Sequence, residues 1–214
     1  MTNLRLHLLR HGQTQFSEEN AFCGSGLDPD LTTAGRRMAQ DFADHYGALP
    51  WAAMYSSTLI RAANTAKPIG KAYGIEVLHD AGLSELAYGE WEGQSMEAVM
   101  DSHPEAFAKW VRDPAWHAPT GGETANEVAC RALNVVDRVR RDFVGGNILF
   151  ISHKATIRIL LCSLLGLDVA LFRHRFSCPV ASVSIVEFTD AGPMLISLAD
   201  CAHLSDDLRA LPGT

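Results

Sequence analysis

The segment LHLLRHGQT ends a mostly apolar run on Arg10 and His11, with Gly12 next. A strand tip carrying a guanidinium, an imidazole and a glycine is poor material for a core and good material for chemistry. Three other stretches carry residues of the same kind. SSTLIRAANTA places Arg61 early in a helical pattern, ISHKATIR places His153 just after an apolar run, and GLSELAYGEWEG holds Glu85 and Glu90 close to glycines. Two guanidiniums match the oxygens of a phosphoryl group through bidentate hydrogen bonds. An imidazole acts as a nucleophile when its second nitrogen is fixed by a hydrogen bond. A carboxylic acid near the leaving oxygen supplies a proton. Gly12 lets the backbone approach closely. Together these residues point to phosphoryl transfer, which rests mostly on positioning and charge stabilisation.

The elements that must bring them together follow from patterning. Residues 4–9, WAAMYSS, IEVLH, NILFIS, SVSIVEF and MLISLA read as strands. DLTTAGRRMAQDFADHY reads as a helix with Thr32 or Thr33 as N-cap and Met38, Phe42 and Tyr46 on one stripe. TLIRAANTAKPIGKAYG is a second helix, ended by Gly74, with a kink or break expected at Pro68. ATIRILLCSLLGL is a third. Strands alternating with helices predict an α/β fold with a largely parallel sheet, and ligands in such folds bind beyond the carboxyl ends of the strands. Residues 86–122 contain helical pieces and loops but no strand pattern, so they are expected to form a small insertion over one end of the sheet. The 214 residues are read as one domain.

Composition removes several function classes. A net charge of −7 gives no electrostatic support to nucleic-acid binding. Five cysteines, Cys23, Cys130, Cys162, Cys178 and Cys201, are an odd number without C-x-x-C spacing, which fits reduced thiols and neither a disulfide framework nor a zinc knuckle. No secretory signal pattern or membrane-length apolar run is present, so a cytoplasmic protein is expected, without nucleic-acid or membrane partners.

Taken in order, LLRHGQT, SSTLIRAANTA, LSELAYGEWEG, PTGGET and ISHKATIR resemble the histidine phosphatase superfamily, which includes cofactor-dependent phosphoglycerate mutases and many small phosphatases. The resemblance extends from residue 4 to about residue 204. It implies a three-layer α/β/α sandwich, no metal and no cofactor. His11 matches the histidine that becomes phosphorylated. Arg10 and Arg61 match the arginines that hold the phosphoryl group, and His153 the second histidine contacting the same oxygens. Glu85, rather than Glu90 or Glu92, matches the proton donor. The chain departs from the family's pattern at Ser17, where Asn is frequent, at Cys23 before Gly24, where Thr or Ser is common, and at Lys154 and Ala155, where many members have glycines. Ser17, Cys23, Gly24 and Lys154 are therefore candidate substrate-binding positions; Lys154 either adds a cation at the rim or faces solvent, and Cys23 reads as a small wall residue.

The implied activity is hydrolysis of a phosphomonoester through a phosphohistidine. A 2,3-bisphosphoglycerate-dependent mutase uses the same residues, and a non-catalytic phospho-ligand module is a reading of another class. Residues 86–122 hold Trp91, Trp110 and Trp116 and more acids than bases, with Lys109 and Arg112 the cations. That favours a phosphatase whose substrate, such as a sugar phosphate, α-ribazole phosphate or phosphoserine, presents something less acidic than phosphoglycerate to this segment. His7 is expected to pack as a strand residue, and His79, His103, His117 and His174 to lie on the surface or in loops. His203 is left open as a residue near the site. The oligomeric state is open between monomer and homodimer, with SVSIVEF as a candidate edge strand.

Overall fold

The computed structural model describes residues 3–213. In chain order the elements are β1 (Leu4–Arg10), α1 (Gln15–Glu19), α2 (Thr33–His45), β2 (Trp51–Ser56), α3 (Ile60–Tyr73), β3 (Val77–His79), α4 (Met96–Ser102), α5 (Pro104–Arg112), α6 (Ala125–Asp142), β4 (Gly146–Ser152), α7 (Lys154–Leu164), α8 (Phe172–Arg175), β5 (Val183–Thr189), β6 (Gly192–Asp200) and α9 (Asp206–Arg209). The strands form one sheet in the order β3-β2-β4-β1-β5-β6. The four strands from β3 to β1 run parallel, and β5 and β6 join antiparallel. β5 is thus paired on both sides, and the edge expected of SVSIVEF belongs instead to β6.

The central strands are apolar on both faces because both faces are covered. In β4, Ile148 and Phe150 join Val128, Val135 and Ile157 of α6 and α7. Leu149 and Ile151 point the other way, with Phe42, Ala66 and Ile69 of α2 and α3. This is the expected three-layer α/β/α arrangement. Helix α6 was not anticipated. Its signals are plain in retrospect: Thr124 and Glu127 form a capping box, and Val128, Ala132, Val135 and Val139 repeat at helical spacing on the buried side.

Two local expectations are corrected or sharpened. Helix α3 continues through Pro68 without a break. The proline removes one backbone hydrogen bond, but Ala66 and Ile69 beside it are fully buried on the sheet, and that packing holds both turns in place. Helix α2 is capped by Thr32, whose side chain accepts from the Gly35 amide. Residues 86–122 contain a 3₁₀ turn at Gly89–Trp91 and the helices α4 and α5, with no strand. Trp91, Val99 and Trp110 form a small core with Phe22, Tyr88 and Phe107, whereas Trp116 is exposed.

Gly12 serves a packing role as the chain leaves β1. A Cβ at Gly12 would lie 2.4 Å from the Gly35 carbonyl oxygen, and one at Gly35 would lie 2.2 Å from the Gln13 oxygen. Two backbones therefore cross here, and the close approach expected of Gly12 is to the first turn of α2. Gly12→Ala is expected to destabilise the protein by about 1–3 kcal/mol through overpacking against backbone. A urea midpoint indistinguishable from wild type would show that the crossing is not tight.

Candidate active site

Neighbouring parallel strands β1 and β4 end together, with Arg10 in register with Ser152. The residues that follow them, His11 and His153, face each other with ring centroids 5.1 Å apart. Arg61 comes from the first turn of α3, and Glu85 from the loop after the turn at Ala81–Leu83. All five sit at the carboxyl edge of the sheet, and all are buried.

His11 Nδ1 lies 2.7 Å from the Gly12 carbonyl. A carbonyl only accepts, so Nδ1 carries the proton and Nε2 keeps a lone pair. Burial first, then the Arg61 and Arg10 guanidiniums, hold the His11 pKa well below its ordinary value of 6.5. His153 is held by two partners. Arg61 Nε donates to its Nδ1 at 3.2 Å, which places the ring proton on Nε2, 2.8 Å from the Ser57 hydroxyl. Its pKa is also well below 6.5, from burial and then Arg61. His153 is fully buried beneath Arg61 and does not line the pocket.

The guanidinium of Arg61 also donates from Nη1 to the Leu27 carbonyl and from Nη2 to the Gly24 carbonyl, both at 2.9 Å. Arg10 Nη1 donates to the carbonyls of Cys178 at 2.7 Å and Gly213 at 2.5 Å. Arg10 Nε is buried and has no protein acceptor. A guanidinium edge of this kind takes an anion's oxygens as a fork. Glu85 Oε1 accepts from the Leu86 and Thr156 amides at 2.9 and 3.1 Å and Oε2 from the Ala155 amide at 3.1 Å, while the Thr156 hydroxyl, 3.2 Å from Oε1, gives its one proton to the nearer Ser84 carbonyl at 2.7 Å. Behind it, Arg131 of α6 donates to the carbonyls of Gly82, Ser84 and Glu85 and is itself gripped by Glu123. Arg131 was not singled out in the sequence.

These groups open into a cavity of about 370 Å³, of small-metabolite size. Of the candidate substrate-binding positions, Ser17, Cys23 and Lys154 line it and Gly24 does not. Ser17 is the N3 residue of a capping box, and its hydroxyl donates to the Thr14 carbonyl at 2.8 Å. The Cys23 thiol is pushed up to about 11, chiefly by burial. Lys154 is lowered to about 8, by burial and then by Arg10 and Arg158. A Cβ at Gly24 would collide with Glu92 Oε1 at 2.3 Å, so this glycine serves the joint with residues 86–92. Glu90 is exposed, and Glu92 accepts from the Gly26 and Tyr88 amides, so neither replaces Glu85 at the pocket. The wall also contains Phe22, Tyr88, Trp110, Arg158, Arg173 and His174. His174 is exposed, as expected, and borders the pocket, and Arg158 and Arg173 had drawn no functional expectation. His203 packs away from the pocket against Phe42, Tyr46 and His45, with neither ring nitrogen bonded. His7 packs against Trp51, 4.9 Å between centroids, as a strand residue. Among the described residues no three His, Cys, Asp or Glu side chains are grouped to hold a metal ion.

A family model described as the histidine phosphatase superfamily (branch 1) matches residues 6–201. The chain belongs to this superfamily. Phosphoserine phosphatase 1 of Hydrogenobacter thermophilus is 30% identical over 203 residues, covering 95% of each chain. Among solved structures, Bacillus stearothermophilus YhfR superposes with a TM-score of 0.87 at 27% identity, over 94% of this chain and 100% of that one. The alpha-ribazole phosphatase from Shigella flexneri gives 0.83 at 25% identity, over 92% and 96%. This histidine phosphatase is thus an enzyme of phosphomonoester hydrolysis whose relatives act on small phosphorylated metabolites.

The buried histidines set a pH dependence. His7 and His203 are lowered to about 4, chiefly by burial, and His11 and His153 also lie well below 6.5. The unfolded chain takes up protons below about pH 6.5 that the folded chain refuses, so stability is full above that value and is lost as pH falls toward 4. At pH 5 the loss is expected to be about 1–2 kcal/mol per histidine. Urea midpoints at pH 7.5, 6 and 5 measure it, and a flat profile over that range contradicts the histidine account.

Proposed function

We propose that this enzyme transfers the phosphoryl group of a small metabolite to Nε2 of His11 and then to water. The observation that carries the reading is the tautomer of His11: its proton is held at Nδ1 by the Gly12 carbonyl, which leaves Nε2 neutral and unprotonated on a ring that lines the pocket with the buried Arg10 and Arg61. In the first step the bond from phosphorus to the substrate's ester oxygen breaks as the bond to Nε2 forms. Glu85 gives its proton to the leaving oxygen. Oε2 is the oxygen assigned to that proton, because it accepts from one amide where Oε1 accepts from two. In the second step water attacks phosphorus, Glu85 takes the water's proton, and the electron pair returns to Nε2. Arg10 and Arg61 hold the phosphoryl oxygens through the transfer. His153 acts as a positioning residue, fixing Arg61 through Nδ1 while Ser57 fixes its other nitrogen.

The segment 86–122 is read as a cap on a single domain, since Tyr88, Met96 and Trp110 from it line the pocket. It supplies no cation to the pocket wall, which supports hydrolysis over mutase action. Five unpaired cysteines support a cytoplasmic location.

The test is phosphate release from p-nitrophenyl phosphate with a chelator present. His11→Ala is expected to abolish release, and Glu85→Gln to lower kcat by about 10²–10⁴-fold. Acid-labile, base-stable label on wild type and not on His11→Ala identifies the phosphohistidine. Undiminished turnover in His11→Ala rejects the mechanism. Isomerisation of 3-phosphoglycerate that outruns phosphate release, with 2,3-bisphosphoglycerate present, makes the protein a mutase.

A further inference from the structure

Beyond Arg10 and Arg61, two further arginines, Arg158 and Arg173, line the pocket, and Glu85 is the acidic side chain among its described lining residues. These additional arginines come from α7 and α8. Arg158 lies four residues after Lys154, on the same side of α7. Its Nε donates to the Phe176 carbonyl at 2.6 Å and its Nη2 to the Arg173 carbonyl at 2.5 Å. These bonds lock the turn that carries Arg173. The Arg173 guanidinium lies over the Trp110 ring, 4.2 Å from its centroid. Its Nη1 is buried without an acceptor. No carboxylate comes within ion-pair distance of Arg158 or Arg173 among the described residues. A buried cationic donor without an acceptor is costly, and the flat seat on Trp110 fixes it in place. The protein offers a ligand oxygen the one partner this nitrogen lacks.

We propose that Arg158 and Arg173 form a second anion subsite, so that the preferred substrate is a phosphomonoester carrying a second anionic group. This rests on the phosphatase reading given above and adds the substrate class. The phosphoryl group sits on Arg10, Arg61 and His11. The second anion lies toward Arg173, between α7–α8 and the wall of Phe22, Tyr88 and Trp110. Selectivity for acidic substrates then resides in α7 and α8, not in the acidic cap, and it reverses the preference expected from the cap's composition.

The experiment compares substrates that differ in that one group: phosphoserine with phosphoethanolamine, 3-phosphoglycerate with glycerol 3-phosphate, and fructose 1,6-bisphosphate with fructose 6-phosphate. The first two pairs report a carboxylate and the third a second phosphate. At least one pair is expected to favour the more anionic member by about 10–100-fold in kcat/KM, the range of a charge-assisted hydrogen bond. The difference should fall mainly on KM, since the second anion lies away from the reacting bond. In Arg173→Gln and Arg158→Gln the ratio is expected to fall toward one, with Arg173→Lys intermediate. A readout on wild type alone guards against misfolded variants: 3-phosphonopropionate is expected to inhibit p-nitrophenyl phosphate hydrolysis at least about tenfold more tightly than ethylphosphonate. Equal kcat/KM within all three pairs overturns the subsite while p-nitrophenyl phosphate turnover leaves the phosphatase reading standing, and so does a ratio unmoved in both folded glutamine variants. No turnover of any phosphomonoester by folded wild type overturns the phosphatase reading and the subsite with it.

Discussion

The structure is organised around the burial of positive charge. Arg10 and Arg61 are 4% and 1% exposed, and among the described residues no carboxylate lies within ion-pair distance of Arg10. Removing such charges from water costs several kcal/mol each unless acceptors replace the lost hydration. The fold supplies them from main chain. Carbonyls of Gly24 and Leu27 are brought to Arg61, and those of Cys178 and Gly213 to Arg10. The loop around residues 22–28 and the segment near residue 213 are far apart in sequence and converge for this reason. Burial, and then these charges, keep both histidines neutral. An imidazole held neutral in this way keeps a lone pair on Nε2 without a base dedicated to deprotonating it.

Glu85 is positioned on the opposite principle, by donors. Its side chain sits at the start of α7, where helix amides lack internal acceptors. Its main chain is tied to α6 through Arg131. The carboxylate therefore depends on two helices of one layer, and the arginines on loops and on α3 from the other side of the sheet. The parallel strands β1 and β4 fix the distance between these two halves, because His11 and His153 leave them in register.

The sequence made the chemistry legible where a residue's type and its place at a strand end agreed. Arg10, His11, Arg61, Glu85 and His153 do converge, and the alternating layers follow from continuous apolar strands. It hid what depends on convergence of distant backbone. Gly12 faces Gly35, not a ligand. Ser17 spends its hydroxyl on its own helix cap, and that use is visible only once Thr14 is seen as the N-cap. His153 reads as a pocket residue from its motif, yet Arg61 and Ser57 take both its nitrogens. Helix α6 is readable from its period and its capping box at Thr124 and Glu127. Pro68 shows the converse, a strong local breaker overridden by tertiary burial.

The lining of the pocket was out of reach of the sequence for a related reason. Counting charges along residues 86–122 treats a stretch of chain as if it were a surface. Of that segment, Tyr88, Met96 and Trp110 reach the pocket, and its acids do not. Trp91 and Trp110 are taken up mainly in the segment's own small core with Phe22 and Phe107. The cations that face the cap come instead from Lys154, Arg158 and Arg173, on elements whose other faces are core. Aromatic and cationic side chains meet at the pocket wall where the guanidinium of Arg173 lies on the ring of Trp110. That contact joins the cap to the body and presents a buried charge to the substrate at the same point. Cap attachment and substrate charge are for this reason coupled, since an anion drawn to Arg173 also stabilises the seat on which Trp110 rests.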